Sequence, residues 1–411
     1  MKATIQMQLT EKLDLRGGRP CWQDADPSPI PSDPLPHSTE IAIVGAGIMG
    51  AMLAYRLSRE GHRVALIDRR PPACGSTAAS TALILWAADV PLLHLSGQIG
   101  AEKAATAWRR VYRAVRNLDD AITARKGDCQ WRSRPELYLA GTLLDEAGLR
   151  AEGAIRRAAE LPTRYLEPGV VADRFGLPPR AALLSDDTFG VDPVALTLDL
   201  LTSARSAGAT ITFPVSVIGL DETGCGITLD CHDGSQIAAD RVILATGYEA
   251  ARWYLPSVFS LGSSFAIATG PGEVPAWREK ALIWEAADPY LYARATTDGR
   301  LIVGGEDEGV SDPHARDRLL GAKRGTLEAK GAALLGRDAL TADCAWSATF
   351  GRSPDGLPAI GRARNSERVW LAAGFGGNGI SFAALAADLL ASGFAGSPDA
   401  DACLFDPYRF D

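Results

Sequence analysis

The chain has 411 residues, of which 46% are apolar and 22% charged, and its formal net charge is −8 at pH 7. That length exceeds one ordinary core and predicts two domains; the acidic balance argues against nucleic acid or an anionic membrane as the main partner. No uninterrupted apolar run is long enough to cross a bilayer, and residues 1–20 carry charges without the apolar core of a secretory signal.

Residues 1–38 read as an arm, with Pro20, five further prolines from Pro27 to Pro36, and Trp22 as its one large anchor. Such a stretch cannot build its own core and is expected to lie along the main body. Residues 41–50, Ile-Ala-Ile-Val-Gly-Ala-Gly-Ile-Met-Gly, form an apolar strand running into a Gly-x-Gly-x-x-Gly turn, and a second apolar stretch at 63–67 ends in Asp68. This strand–turn–helix–strand–acid order is that of a dinucleotide-binding fold. Gly45 permits the tight turn, Gly47 lets backbone approach a pyrophosphate, and Gly50 lets the helix lie close to the strand. The helix, over about 48–60, aims its positive end at the phosphates, and Asp68 is placed to accept hydrogen bonds from a ribose.

A loop of small hydroxyl residues follows at 75–81. Ala104, Trp108, Val111, Val115, Leu118 and Ile122 then mark one face of a long helix. Residues 136–140 read as a strand and 143–160 as a helix. Asp192-Pro193 opens another helix to about 206, with Asp at the N-cap and Pro in the first turn. Strand signals recur at 211–213 and 215–218, then alternation to an Asp233-Gly234 turn and a return strand from Ile237. That strand leads into 241–247, a buried run ending Ala-Thr-Gly. Near the C-terminus a strand at 369–373 enters a loop with four glycines in six residues, 374–379, before a small-residue helix over 380–392. So many glycines cost backbone entropy, which implies close passage of backbone to something.

The seven cysteines are scattered, odd in number and without Cys-x-x-Cys, so reduced cytoplasmic thiols are expected. The five histidines form no metal-type pair, and no metal is expected. No Gly-x-Ser-x-Gly elbow is present.

The segments 41–50, 242–247 and 374–380, in that order, resemble the D-amino-acid oxidase, glycine oxidase and sarcosine oxidase family of FAD enzymes. Val191-Asp192-Pro193, the hairpin at 290–305 and the run 355–361 (Asp-Gly-Leu-Pro-Ala-Ile-Gly) agree, so the resemblance spans about 39–395. The Trp22 arm resembles that of a subgroup of bacterial amine and amino-acid oxidoreductases. The fold implied is α/β: a Rossmann-like FAD domain (39–95, 190–265 and 335–411) interleaved with a smaller mixed-sheet substrate domain (96–189 and 266–334). The resemblance implies that Gly45, Gly47, Ile48, Met49, Gly50, Asp68 and Arg69 hold the ADP moiety. Ser76, Thr77, Ser80 and Thr81 match the loop along the pyrophosphate and ring; Val217 matches a backbone contact to adenine. Thr246 and Gly247, which close the Ala-Thr-Gly strand, are further cofactor-binding candidates. Gly376, Gly377, Asn378, Gly379 and Ile380 match the loop beside the flavin pyrimidine edge, where a helix N-terminus favours the charge that hydride transfer creates. The chemistry implied is oxidation of an amine or amino-acid C–N bond to an imine, with electrons passing to oxygen or another acceptor.

Departures from the family pattern bear on the substrate. Where carboxylate-binding members carry Arg, this chain has Phe350, and Arg352 lies two residues on; it either replaces that Arg or is a solvated charge. Tyr290 matches the family's substrate-site tyrosine and is either a substrate contact or a half-buried strand aromatic. Tyr290 and Arg352 are the catalytic candidates, and Tyr292, Arg294, Trp346 and Phe375 the substrate-lining ones. Ala348 stands where covalent-flavin members carry Cys, so FAD is expected to be noncovalent. Ile302 stands where sarcosine-type oxidases carry an oxygen-activating Lys. A small-molecule amine is the expected partner, with an electron-accepting partner possible in principle. The competing readings are an FAD-holding subunit without catalysis and a nicotinamide-dependent dehydrogenase.

Overall fold

A computed structural model describes residues 14–22, 30–125, 127–249, 254–272 and 277–411. Two sheets divide the work. The first is built on four parallel strands in the order Thr210–Thr212, Val64–Ile67, Ser38–Val44, Gln236–Leu244. Ile41, Ala42, Ile43, Val242 and Ile243 are fully enclosed, as parallel strands covered on both faces require. Gln236–Leu244 is one long strand. Its first half pairs antiparallel with Gly226–Cys231 in the hairpin expected from Asp233-Gly234, and its second half runs parallel to Val369–Ala373. The helix Ile48–Arg59 packs between Pro193–Ser206 and Gly379–Phe394 over this sheet.

The second sheet has nine strands, in the order Arg16–Gly18, Cys344–Arg352, Ser260–Ala268, Leu301–Glu308, Leu291–Ala295, Leu282–Glu285, Glu136–Leu139, Ala182–Ser185, Thr163–Leu166. It is mixed, since Leu282–Glu285 runs parallel to Glu136–Leu139 while the hairpin strands run antiparallel. The helix Pro313–Leu334, capped by Asp312, covers one face, where Phe265, Ile267, Ile283, Ala293 and Val303 form a closed cluster. No helix among the described residues is long and apolar enough to cross a membrane, and none of their acid, Cys and His side chains groups as a metal cage.

Cys344–Arg352 and Ser260–Ala268 hydrogen-bond to each other inside the nine-stranded sheet. Alternation in a strand says which residues face a core, and it does not say which sheet supplies the partner strand. Part of the arm also joins this sheet. Arg16–Gly18 pairs antiparallel with Trp346–Ala348 and caps an edge that would otherwise expose its ladder groups.

Candidate active site

The turn after Ser38–Val44 is shaped by glycines with different duties. Gly45 sits at φ +119°, and a Cβ there would lie 2.3 Å from the Ala245 carbonyl oxygen. At Gly50 a Cβ would lie 1.8 Å from the Gly45 carbonyl oxygen, so this glycine sets helix against strand and does not line the cavity. Gly47 does line it, and its missing Cβ would meet only Thr77 Oγ1, at 3.1 Å. Thr77 Oγ1 accepts the Ile48 N–H at 3.0 Å, fixing the hydroxyl loop to the helix N-terminus. The neighbouring Ser76 hydroxyl is buried beside the cavity without a partner among the described residues. Asp68 accepts the Ala46 N–H (2.7 Å) and the Arg70 N–H (2.8 Å), one on each oxygen, which leaves lone pairs for a ligand hydroxyl. Burial pushes its pKa up against those two amides. Arg69 and Arg70 converge on Glu249 at 2.5 and 2.9 Å, closing this end. Val217, Thr246 and Gly247 (φ +60°) also line it.

Two tryptophans pin the hydroxyl loop, Trp346 from the second sheet and Trp22 from the arm. Trp346 Nε1 donates to the Ala79 carbonyl at 2.9 Å and Trp22 Nε1 to the Ser80 carbonyl at 2.7 Å. From here one cavity of about 280 Å³ runs to the C-terminal glycine loop, lined by Gly376, Gly377, Asn378, Gly379 and Ile380. That loop is stitched to the segment 85–89: Asn378 Nδ2 donates to the Ala87 carbonyl (2.5 Å), Ser381 Oγ to the Leu85 carbonyl (2.6 Å), and the Gly377 N–H to Asp89 Oδ2 (2.7 Å). The first amides of Gly379–Phe394 lack intrahelical partners by construction and open toward the cavity.

The opposite wall is the uncovered face of the nine-stranded sheet. Trp346, Ala266, Gly304, Tyr292, Trp284 and Tyr138 form one register row across six strands. The Tyr292 ring lies over Gly304, where an added Cβ would come within 2.3 Å of it. Tyr290 donates its hydroxyl to Asp307 Oδ2 at 3.1 Å. Burial, followed by the charges of Asp307 and Asp89, holds its phenol well above the usual range. Asp89 is half-buried on the cavity wall; burial pushes its pKa up to about 6, opposed by the Gly377 N–H.

Residues 40–392 match the DAO model, described as FAD dependent oxidoreductase. The chain belongs to this family. Among curated relatives, glycine oxidase of Geobacillus kaustophilus (strain HTA426) is 25% identical over 86% of this chain and 92% of its own. 4-Methylaminobutanoate oxidase (formaldehyde-forming) of Paenarthrobacter nicotinovorans is 25% identical over 92% of this chain, which spans 46% of that longer protein. The crystal structure of glycine oxidase from Geobacillus kaustophilus superposes with a TM-score of 0.74 at 22% identity, covering 92% of this chain and 98% of that one.

As a DAO-family member the chain is an FAD-dependent flavoprotein, and its cradle fits that group. A buried Ser76 hydroxyl has no partner among the described residues, a side chain is missing at Gly47, and helix N-termini open at both glycine motifs. Ile48, Met49, Arg69, Ser80 and Thr81 also line the cavity. Four candidates do not line the cavity: Gly50, as above, and Arg294, Phe375 and Arg352. Arg294 is 3% exposed beneath the wall, its Nη1 donating to the carbonyls of Ala82 (2.5 Å), Val191 (2.9 Å) and Thr81 (3.2 Å), and burial lowers its pKa to about 10. Strand alternation gave its sheet face but not the layer of chain laid over it. Phe375 packs with Phe259 and Ala359 behind the glycine loop. Arg352 stays off the cavity wall, half-exposed at the strand end, 3.6 Å from Asp307. Asp89, Asp307, Tyr248, Glu249 and Trp284 were not singled out from sequence. Of these only Tyr248 and Glu249 carried a signal, following directly on Ala-Thr-Gly.

Proposed function

We propose that this protein oxidises the C–N bond of an amine or amino acid held between the aromatic sheet wall and the C-terminal glycine loop. One observation carries the reading: a single cavity joins a dinucleotide cradle to the row of Trp346, Tyr292 and Trp284. The relatives agree in chemistry, one named for oxidising glycine and the other for oxidising 4-methylaminobutanoate with release of formaldehyde. Bound FAD supplies the acceptor for the hydride leaving the substrate α-carbon. As the C–H pair departs, the nitrogen lone pair forms the C=N bond, and water then hydrolyses the imine to a carbonyl compound and an amine. The N–H groups of residues 378–380 would face the negative charge that grows when FAD is bound, and the aromatic wall orients the substrate and excludes water. Tyr290 and Tyr292 contact the substrate in this reading; Arg352 acts through Asp307.

FAD is bound noncovalently, since Ala348 lines the cavity where covalent members carry Cys. The seven free cysteines favour a reducing cytoplasmic setting. The test is the visible spectrum of the purified protein, held anaerobic while amines and amino acids are added, followed by acid precipitation. Bleaching of the flavin band and release of flavin into the supernatant are expected. A flavin band that no amine bleaches would point to a subunit without catalysis, and a colourless protein that takes up no FAD would end the reading.

A further inference from the structure

The substrate end of the cavity is acidic. Asp89 is the carboxylate on its wall; the cationic residues lining the cavity, Arg69 and Arg70, stand at the nucleotide end and converge on Glu249. Neither arginine nearer the sheet lines the cavity. Arg294 is spent on backbone carbonyls, and Arg352 faces Asp307. A substrate carboxylate beside the reacting carbon would therefore enter without a cationic partner and meet Asp89, which is costly in an enclosed site.

What the wall offers suits the opposite charge. Asp89 Oδ2 is held by the Gly377 N–H, and its Oδ1 carries no hydrogen bond among the described residues. Gly376 and Gly377 leave room for this carboxylate: Cβ atoms there would lie 3.1 and 2.9 Å from its oxygens. Tyr290 has committed its proton to Asp307, so toward the cavity it presents lone pairs that accept N–H bonds. Asp307 itself is 8% exposed at its side chain, and its buried Oδ1 has no hydrogen-bond partner among the described residues. Around these acceptors Trp284, Tyr290 and Tyr292 stand with ring centroids 6.3 and 6.1 Å apart, faces that attract a cation.

We infer that Asp89 holds a second, non-reacting ammonium group of the substrate, so that aliphatic diamines are preferred over α-amino acids. The reacting nitrogen must be neutral to release hydride, whereas a carboxylate favours a charge that is kept. The retained ammonium is therefore the group that Asp89 reads. This rests on the C–N oxidation proposed above.

The experiment is anaerobic reduction of the FAD-loaded enzyme by 1,4-diaminobutane, n-butylamine, glycine and sarcosine, in the native protein and in Asp89→Asn. The diamine should half-saturate at a concentration about 10- to 100-fold below n-butylamine, the range of one charge-assisted hydrogen bond. Asp89→Asn should collapse that ratio toward one. Bleaching by glycine or sarcosine with none by the diamine would overturn this inference and leave C–N oxidation standing. Bleaching by no amine of either class would remove both. A ratio unchanged in Asp89→Asn would assign the preference to another group. Should the variant fail to hold flavin, the native ratio decides, and a value near one overturns the inference.

Discussion

Asp89 is half-buried and Arg294 fully buried, and their surroundings give them different work. Asp89 has one oxygen on a backbone N–H and the other toward the cavity, whereas Arg294 spends its donors on the carbonyls of Ala82, Val191 and Thr81. Arg294→Leu should leave those carbonyls unsatisfied and cost roughly 2–4 kcal/mol. Thermal unfolding would read this as a lower midpoint with weaker flavin retention, and the diamine-to-butylamine ratio should not move. A pH profile reads Asp89 separately. Its carboxyl is raised to about 6 by burial and by Asp307, against the Gly377 N–H and Arg352, with Tyr248, Tyr290 and Tyr138 also facing it. Above that pH it is ionised and below it neutral, while an aliphatic ammonium stays protonated throughout. Thus kcat/KM for 1,4-diaminobutane relative to n-butylamine should rise as pH climbs through about 6 and then level off; a flat ratio would disconnect Asp89 from the substrate.

At the scale of elements, the two glycine motifs are helix N-termini brought to one cavity by different sheet strands. Their glycines are not equivalent. Gly50→Ala would drive a Cβ to 1.8 Å from the Gly45 carbonyl, forcing helix Ile48–Arg59 off its strand at a cost of roughly 3 kcal/mol. Gly379→Ala meets no protein atom within 4 Å. The first should lower both apoprotein stability and FAD affinity. The second should lower only FAD affinity, because its methyl projects from a residue on the cavity wall. Denaturant unfolding of the apoprotein beside a flavin-fluorescence titration separates them. The Gly50 and Gly45 roles were readable from spacing, since helix-on-strand contact needs a missing Cβ whatever the ligand. The Asp89 position beside Gly376 and Gly377 was not, because the partners are almost 290 residues apart (377 − 89 = 288) and no local pattern couples them.

At the scale of the whole molecule, the cavity exists because two sheets with different rules face each other. The parallel strands Ser38–Val44 and Gln236–Leu244 are apolar through their buried ends and announce themselves, as does the helix that follows Gly45. The nine-stranded sheet is assembled from every part of the chain, from Arg16–Gly18 to Cys344–Arg352. Its strands were legible one by one, at 136–140 and in the 290–305 hairpin, while their order was not. That order aligns Trp346, Tyr292 and Trp284 in one row and places Asp307 under Tyr290. By itself the sequence determined the nucleotide cradle and the family, because turn sterics, strand burial and helix dipoles act over a few residues. Only the tertiary structure decided which charges line the cavity, since that depends on strand pairing and burial between segments that no local spacing relates.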